Sequence, residues 1–252
     1  MNEDLALLSS GDPSLIITNR RVEVFVFRTE LAEDKIQWLS TFLSDYELQK
    51  ALSYRFPPRA RCFKVTRGVL RGILSGIIGV HPCRIPFEYG PDGKPFIPDN
   101  AGLIPLCFNL THCSNYGAVG VAGPKIPLGI DMEMADPRRP YMDIARRYFT
   151  PQEVQELEGA VSSDREKMFY RIWTRKEAYV KARGLGMAVS LGRVRVSGDD
   201  KPRLIDDPDL PRGEESLWRM VDLPIKDPDY YGALCFFGRG SPMEQIFHRL
   251  NF

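Results

Sequence analysis

The sequence predicts a mixed α/β protein, of the α+β kind, arranged as a pseudo-dimer of two similar α/β lobes. The first lobe is placed at residues 1–123 and the second at 124–252. Three observations lead there. With 252 residues the chain is long enough for one large domain or two of ordinary size. Each half reads as a strand, then one or more helices, then a few closing strands, and the two runs meet near Gly123-Pro124. No short tandem repeat or low-complexity segment breaks that order.

Residues 1–20 carry little pattern and are expected to be irregular. Val22 to Phe27 reads as a strand. Leu31 to Leu43 places Leu31, Ile36, Leu39, Phe42 and Leu43 on a helical stripe. Ser44-Asp45 then caps a short helix holding Glu47, Leu48, Lys50 and Ala51. From Arg59 to Ile78, Phe63, Val69, Leu70, Ile73, Leu74, Ile77 and Ile78 recur at helical spacing. Arg59, Arg61, Lys64, Arg67 and Arg71 lie along the same helix, either as a solvated basic face or as an anion-binding one. Arg84 to Tyr89 reads as a short strand, and Gly90-Pro91-Asp92-Gly93 as a turn that delivers Lys94-Pro95-Phe96. Leu106 to Leu110 reads as a buried strand with Thr111-His112-Cys113-Ser114 at its end. Gly117 to Ala122 is a second strand of small residues.

Ile126 to Asp136 is the most informative stretch. Leu128, Ile130, Met132 and Met134 alternate with Gly129, Asp131 and Glu133, which is the period of a half-buried strand. Asp131 and Glu133 therefore leave the strand on one face. Two neighbouring carboxylates repel unless a positive charge stands between them, and a hard cation such as Mg²⁺ prefers oxygen ligands. The alternative is a solvated charged face on an edge strand. Asp136 to Pro140 is a loop and Asp143 to Phe149 a helix. Thr150-Pro151-Gln152-Glu153 is a helix start with cap, proline and returning glutamate in place. Ser163 to Arg183 is the longest helix, ended by Gly184 and Gly186. Within it Glu177 and Lys181 stand one turn apart on a shared face, as a surface salt bridge or as parts of a site. Residues 189–252 alternate strand-like runs with turns, as a small antiparallel sheet would.

Composition narrows the function. Hydrophobic residues make up 43% and charged residues 27%, the make-up of a soluble globular protein. Lys and Arg total 34 against 33 Asp and Glu, so no basic field favours nucleic acid. The five cysteines are scattered without a C-x-x-C pair, as expected of reduced thiols rather than a disulfide framework or a zinc site. The first residues do not read as a signal peptide, and no apolar run approaches the roughly 20 residues of a membrane span. A cytoplasmic protein with no membrane contact is expected.

Several blocks together resemble a known family. Gly129-Ile130-Asp131-Met132-Glu133 and Trp173-Thr174-Arg175-Lys176-Glu177-Ala178-Tyr179-Val180-Lys181, followed by Gly184-Leu185-Gly186-Met187, are similar to the two signature blocks of the 4′-phosphopantetheinyl transferases. Gly93-Lys94-Pro95 and Phe108-Asn109-Leu110-Thr111-His112 match two further family blocks. The likeness runs from about residue 22 to about 237, and the length resembles the two-lobed, monomeric Sfp type. It implies the transferase fold and a definite chemistry. The phosphopantetheine arm of coenzyme A passes to a serine of an apo acyl carrier or peptidyl carrier protein, with Mg²⁺, releasing 3′,5′-adenosine diphosphate. The carrier is left open among fatty-acid, polyketide and nonribosomal-peptide types.

By the same resemblance Asp131, Glu133 and Glu177 hold the metal, Glu177 acts as base directly or through a water, and Lys181 holds phosphate. Lys94 meets a coenzyme A phosphate, and Thr111 with His112 meets the nucleotide and its 3′-phosphate. Trp173 and Lys176 are read as packing and local electrostatics. Cys113 stands where the family commonly has serine, which puts one polar contact in doubt. The first-lobe cation is left open among Lys50, Arg55, Arg59 and Arg61. Two alternatives use the same residues: a Mg²⁺-dependent phosphohydrolase acting on a coenzyme A-like pyrophosphate, and a non-catalytic coenzyme A-binding protein.

Overall fold

Strand β1, Arg21–Arg28, is buried along both faces, which requires a layer on each side of it. Val22, Val24 and Val26 enter one core while Phe25 and Phe27 enter another. The computed structural model describes residues 20–90, 93–185, 191–238 and 243–252. The irregular start expected over residues 1–20 (Arg20 apart), the Pro91-Asp92 turn tip and the Gly186-Met187 block lie outside the described residues, as does the beginning of the run from Val189.

Helices α1 (Glu33–Ser40), α2 (Asp45–Ser53) and α3 (Pro57–Ile78) cover the phenylalanine face of β1. Ser44 closes a full capping box with Glu47 at the start of α2. Two prolines open α3, and Gly79 closes it at a left-handed φ of 68°. The strand expected over Arg84 to Tyr89 is shorter than that. Pro82–Arg84 is a 3-10 turn, and only Glu88–Tyr89 (β2) pairs, with Pro95–Phe96 (β3). The cause is Arg71 of α3, whose guanidinium takes the carbonyls of Pro82 and Ile85 at 2.6 and 3.1 Å and draws that backbone inward. Strands β4 (Cys107–Cys113) and β5 (Tyr116–Ala122) then pair antiparallel, and β5 pairs antiparallel with β1.

Strand β6, Leu128–Met134, begins a second sheet. Helices α4 (Tyr141–Tyr148), α5 (Pro151–Gly159) and α6 (Ser162–Arg183) follow, with the Thr150–Glu153 capping box at the start of α5 and Gly184 left-handed at the end of α6. The remaining segment does not form one small antiparallel sheet. Arg195–Val196 (β7) and Leu204–Asp206 (β8) pair by themselves. Trp218–Asp222 (β9) and Tyr230–Phe237 (β10) extend the second sheet in the order β6-β10-β9. Glu244–Leu250 (β11) instead crosses to the first sheet and runs parallel to β1, giving the order β11-β1-β5-β4. Its His248 stacks on Phe25 at 4.6 Å and meets the buried Glu23 carboxylate at 2.6 Å.

The architecture is mixed α/β in four layers: α1–α3, the four-stranded sheet, the three-stranded sheet, and α4–α6. The two sheets pack face to face through Val22, Val24, Val26, Leu128, Ile130 and Leu234. Among the described residues no helix is long and apolar enough to cross a membrane.

Candidate active site

The site forms where the rims of the two sheets meet, β4 of the first against β6 of the second. Side chains at 109, 111 and 113 leave β4 on one face, and each reaches β6. Asn109 Oδ1 accepts the Ile130 N–H at 2.9 Å, Thr111 Oγ1 lies 3.5 Å from Asp131 Oδ1, and Cys113 Sγ accepts the Met134 N–H at 3.3 Å. The thiol thus retains a polar contact at the position where the sequence left one in doubt. His112, one residue along, faces the other way. Its Nδ1 is 3.5 Å from Cys62 of α3. Partial burial, together with the positive charges of Arg67, Lys181 and Arg59, lowers its pKa.

Helix α6 packs directly on β6 because position 129 has no side chain. A Cβ there would stand 2.1 Å from the Ala178 carbonyl oxygen. That close approach sets Glu177 and Lys181 beside Asp131. The Asp131 face is therefore buried rather than solvated. Asp131 is 5% exposed and Glu177 4%. Lys181 Nζ bonds Asp131 Oδ1 at 2.6 Å and approaches the Ile130 carbonyl at 3.4 Å, so its partner is across the strand rather than Glu177 on its own helix. Glu133 lies nearer the rim, where Arg139 reaches it at 3.3 Å.

Two carboxylate oxygens are left over. Asp131 Oδ2 and Glu177 Oε1 are buried with no hydrogen-bond partner among the described residues. Burial pushes Asp131 up to about 6 against the pull of Lys181. Burial, then the charge of Asp131, pushes Glu177 up to about 7, with Lys181 again opposing and Glu133 adding to the rise.

Beside these acids lies a cavity of about 470 Å³, lined by Arg67, Lys94, Asn109, Glu177, Lys181 and Gly184 among others. Lys94 donates to the Lys181 carbonyl at 3.1 Å, and burial lowers its pKa. Helix α3, the β2–β3 hairpin, β4 and α6 all contribute walls. Arg67 belongs to the basic run on the predicted helix but is not among the four first-lobe candidates. Its Nη1 is buried with no acceptor among the described residues. None of the four first-lobe candidates lines the cavity. Arg61 pairs with Glu33, Arg59 lies over Tyr54, Lys50 lies over Phe63 and Tyr89, and Arg55 is exposed. The available signal was spacing, since Arg67 follows Phe63 and precedes Arg71 by four residues each, on one helical face.

Buried oxygens lacking partners fit a hard cation, because a desolvated carboxylate needs a positive or hydrogen-bonding neighbour. Among the described residues no three His, Cys, Asp or Glu side chains are already gathered as a metal cluster. Mg²⁺ fits that arrangement, since it is commonly held by one or two carboxylates completed by substrate phosphates rather than by an all-protein cage. Lys176, next to Glu177, is wholly buried and bonds Glu153 at 2.5 Å and the Leu191 carbonyl at 2.6 Å, away from the cavity.

One buried acid, Glu177, and three cations line the cavity, with Asp131 held beside it by Lys181, an arrangement suited to a phosphate-bearing ligand. The comparisons carry this further. Residues 127–235 match the model of the 4′-phosphopantetheinyl transferase superfamily. The 4′-phosphopantetheinyl transferase HetI of Nostoc sp. is 36% identical over 176 residues, covering 70% of this chain and 74% of HetI. A putative 4′-phosphopantetheinyl transferase of Synechocystis sp. is 34% identical over 183 residues, 73% of this chain and 72% of its own. Sfp of Bacillus subtilis is 25% identical over 207 residues, 81% of this chain and 87% of Sfp. The chain belongs to the 4′-phosphopantetheinyl transferases, enzymes that transfer the phosphopantetheine group to carrier proteins.

Proposed function

We propose that this enzyme takes coenzyme A as donor and, with Mg²⁺, transfers its phosphopantetheine arm to a serine of an apo acyl or peptidyl carrier protein, releasing 3′,5′-adenosine diphosphate. The observation that carries this reading is the pair of buried, unpartnered oxygens on Asp131 and Glu177 at a cavity lined by Arg67, Lys94 and Lys181. Asp131 and Glu177, with Glu133 at the rim, would hold the cation together with pyrophosphate oxygens. Bound there, Mg²⁺ supplies neutralisation of charge on the leaving group.

The chain's own residues do the rest. Glu177, raised to about 7, is suited to take the serine proton directly or through a water. Lys181 stabilises charge on the phosphate. Lys94 and Arg67 anchor the anionic end of the ligand from the first half of the chain. His112 meets the nucleotide 3′-phosphate. Thr111, expected to share that contact, bears on Asp131 and orients it. The proposed lobes, 1–123 and 124–252, meet at this cavity, with β11 of the second completing the sheet of the first. The enzyme would act as a cytoplasmic monomer on carriers of fatty-acid, polyketide or nonribosomal-peptide type.

The test is intact-mass spectrometry of apo carrier proteins after incubation with enzyme, coenzyme A and Mg²⁺. A phosphopantetheine mass gain, lost in Asp131→Ala and on chelation, is expected. Nucleotide release from coenzyme A without any carrier would point to a phosphohydrolase instead.

A further inference from the structure

Asn109 is 6% exposed and sits in β4 at the wall of the cavity, yet the chemistry above assigns it nothing. Its orientation is determined by its partner. The Ile130 N–H can only donate, so the amide oxygen must face it, at 2.9 Å. The amide nitrogen is then turned to the opposite side. Among the described residues no acceptor takes a hydrogen bond from Nδ2, and Nδ2 is not among the enclosed polar atoms left without a partner. A nearly buried side chain held by its oxygen, with its two N–H groups accounted for by neither protein nor enclosure, directs them into the cavity it lines.

We propose that Asn109 is a ligand-binding residue whose carboxamide NH₂ donates to a phosphate oxygen in this cavity. This rests on the reading of the cavity as a phosphate site. Arg67, Lys94 and Lys181 bring positive charge to the same space, and Glu177 brings a carboxylate. A neutral donor between them adds a directed hydrogen bond to an anionic oxygen without raising the charge of the wall. The same side chain fastens β4 to β6 one residue before Asp131, so ligand contact and carboxylate position share one anchor.

Two variants separate this contact from its alternatives, with inorganic pyrophosphate and coenzyme A as probes in titration calorimetry. Asn109→Asp keeps the shape and an oxygen for Ile130, at the cost of burying a carboxylate in the wall that Glu177 shares. Asn109→Leu is neutral and removes both groups. Both should bind pyrophosphate roughly 10- to 100-fold more weakly, the span for a hydrogen bond to a charged group. Asn109→Leu is the discriminating variant, because it removes the amide without adding charge, whereas a buried carboxylate at 109 would repel the anion at any salt concentration. Wild-type affinity in Asn109→Leu overturns the proposal. If Asn109→Leu does not fold, the smaller neutral variant Asn109→Ala replaces it, and wild-type pyrophosphate affinity there overturns the proposal instead. Wild-type enzyme that binds neither probe overturns it too. Weakened pyrophosphate binding in both variants supports the contact even if wild-type enzyme fails to bind coenzyme A, and that failure would sink the coenzyme A reading alone.

Discussion

Helices α3 and α6 are both 22 residues long and both end on a left-handed glycine, yet they bury different things. Helix α3 buries Val65, Val69, Leu70, Ile73 and Leu74, with one guanidinium, Arg71, among them. That guanidinium is met at Nε by Glu47 at 2.5 Å and at Nη1 by two backbone carbonyls. Helix α6 buries a run of polar groups from 175 to 179. Arg175 pairs with Asp222 and takes the carbonyls of Ser197 and Asp199, Lys176 pairs with Glu153, and the Tyr179 hydroxyl donates to Asp207. Glu177, in the middle of that run, has a buried oxygen with no partner. The difference teaches how to read buried charge. A buried charge held by its partners is architecture, and an unpartnered one that also lines a cavity, as Glu177 does, is where a ligand enters.

The largest effect should come from breaking a complete partnership. Arg71→Ala takes the cation from the fully buried Glu47, leaving it only Ser44 and Tyr89, and should destabilise the fold by about 3–5 kcal/mol. A urea midpoint unmoved from wild type would refute the architectural role.

The incomplete group should behave in the opposite way. Glu177→Gln should cut kcat by roughly 10²-fold or more while leaving the KM for coenzyme A nearly unchanged. Lys181→Ala should also cut turnover, non-additively with it if both act on one transition state. Glu177→Gln should also stabilise the protein at neutral pH. Burial raises the Glu177 carboxyl from 4.5 to about 7, so between those values the folded protein holds a proton that the unfolded chain has released. Wild-type stability therefore falls as pH rises through that window. Glutamine carries no such penalty, and its gain in Tm should be near zero at about pH 4 and complete at about pH 8. An equal gain at both pH values would show that the carboxyl is not burdened in this way.

A smaller loss is expected at the cavity wall. Arg67→Ala should raise the KM for coenzyme A by roughly tenfold or more, as for a lost hydrogen bond to a charged group. The comparison sharpens if Arg59→Ala, whose guanidinium lies over Tyr54 away from the cavity lining, moves KM much less. The smallest effect belongs to Thr150→Ala, which removes the cap of α5 and should cost about 1 kcal/mol of stability. Thermal unfolding would show it, with transfer kinetics unaltered.

The local elements were legible because local rules specify them. Alternation in Leu128 to Met134 gave a strand, the Thr150–Glu153 pattern gave a helix start, and a glycine after Arg183 gave a helix end, each observed within a residue or two. The family blocks pointed to Asp131, Glu133, Glu177, Lys181, Lys94, Thr111 and His112, and the fold brings Asp131, Glu177, Lys181 and Lys94 to one place.

Other features were decided only in three dimensions. Periodicity says which face of a strand is apolar but not what covers the other, so by pattern alone Asp131 read as solvated, and α6 closing on Gly129 is what buries it. Helical spacing paired Lys181 with Glu177, but the shorter reach was across to Asp131. The placing of Arg67, the turning apart of Thr111 and His112, and the crossing of β11 to run parallel with β1 depend on segments far apart in the chain. Local sequence encodes conformation and polarity, while partnership between distant segments is settled by which surfaces the folded layers press together.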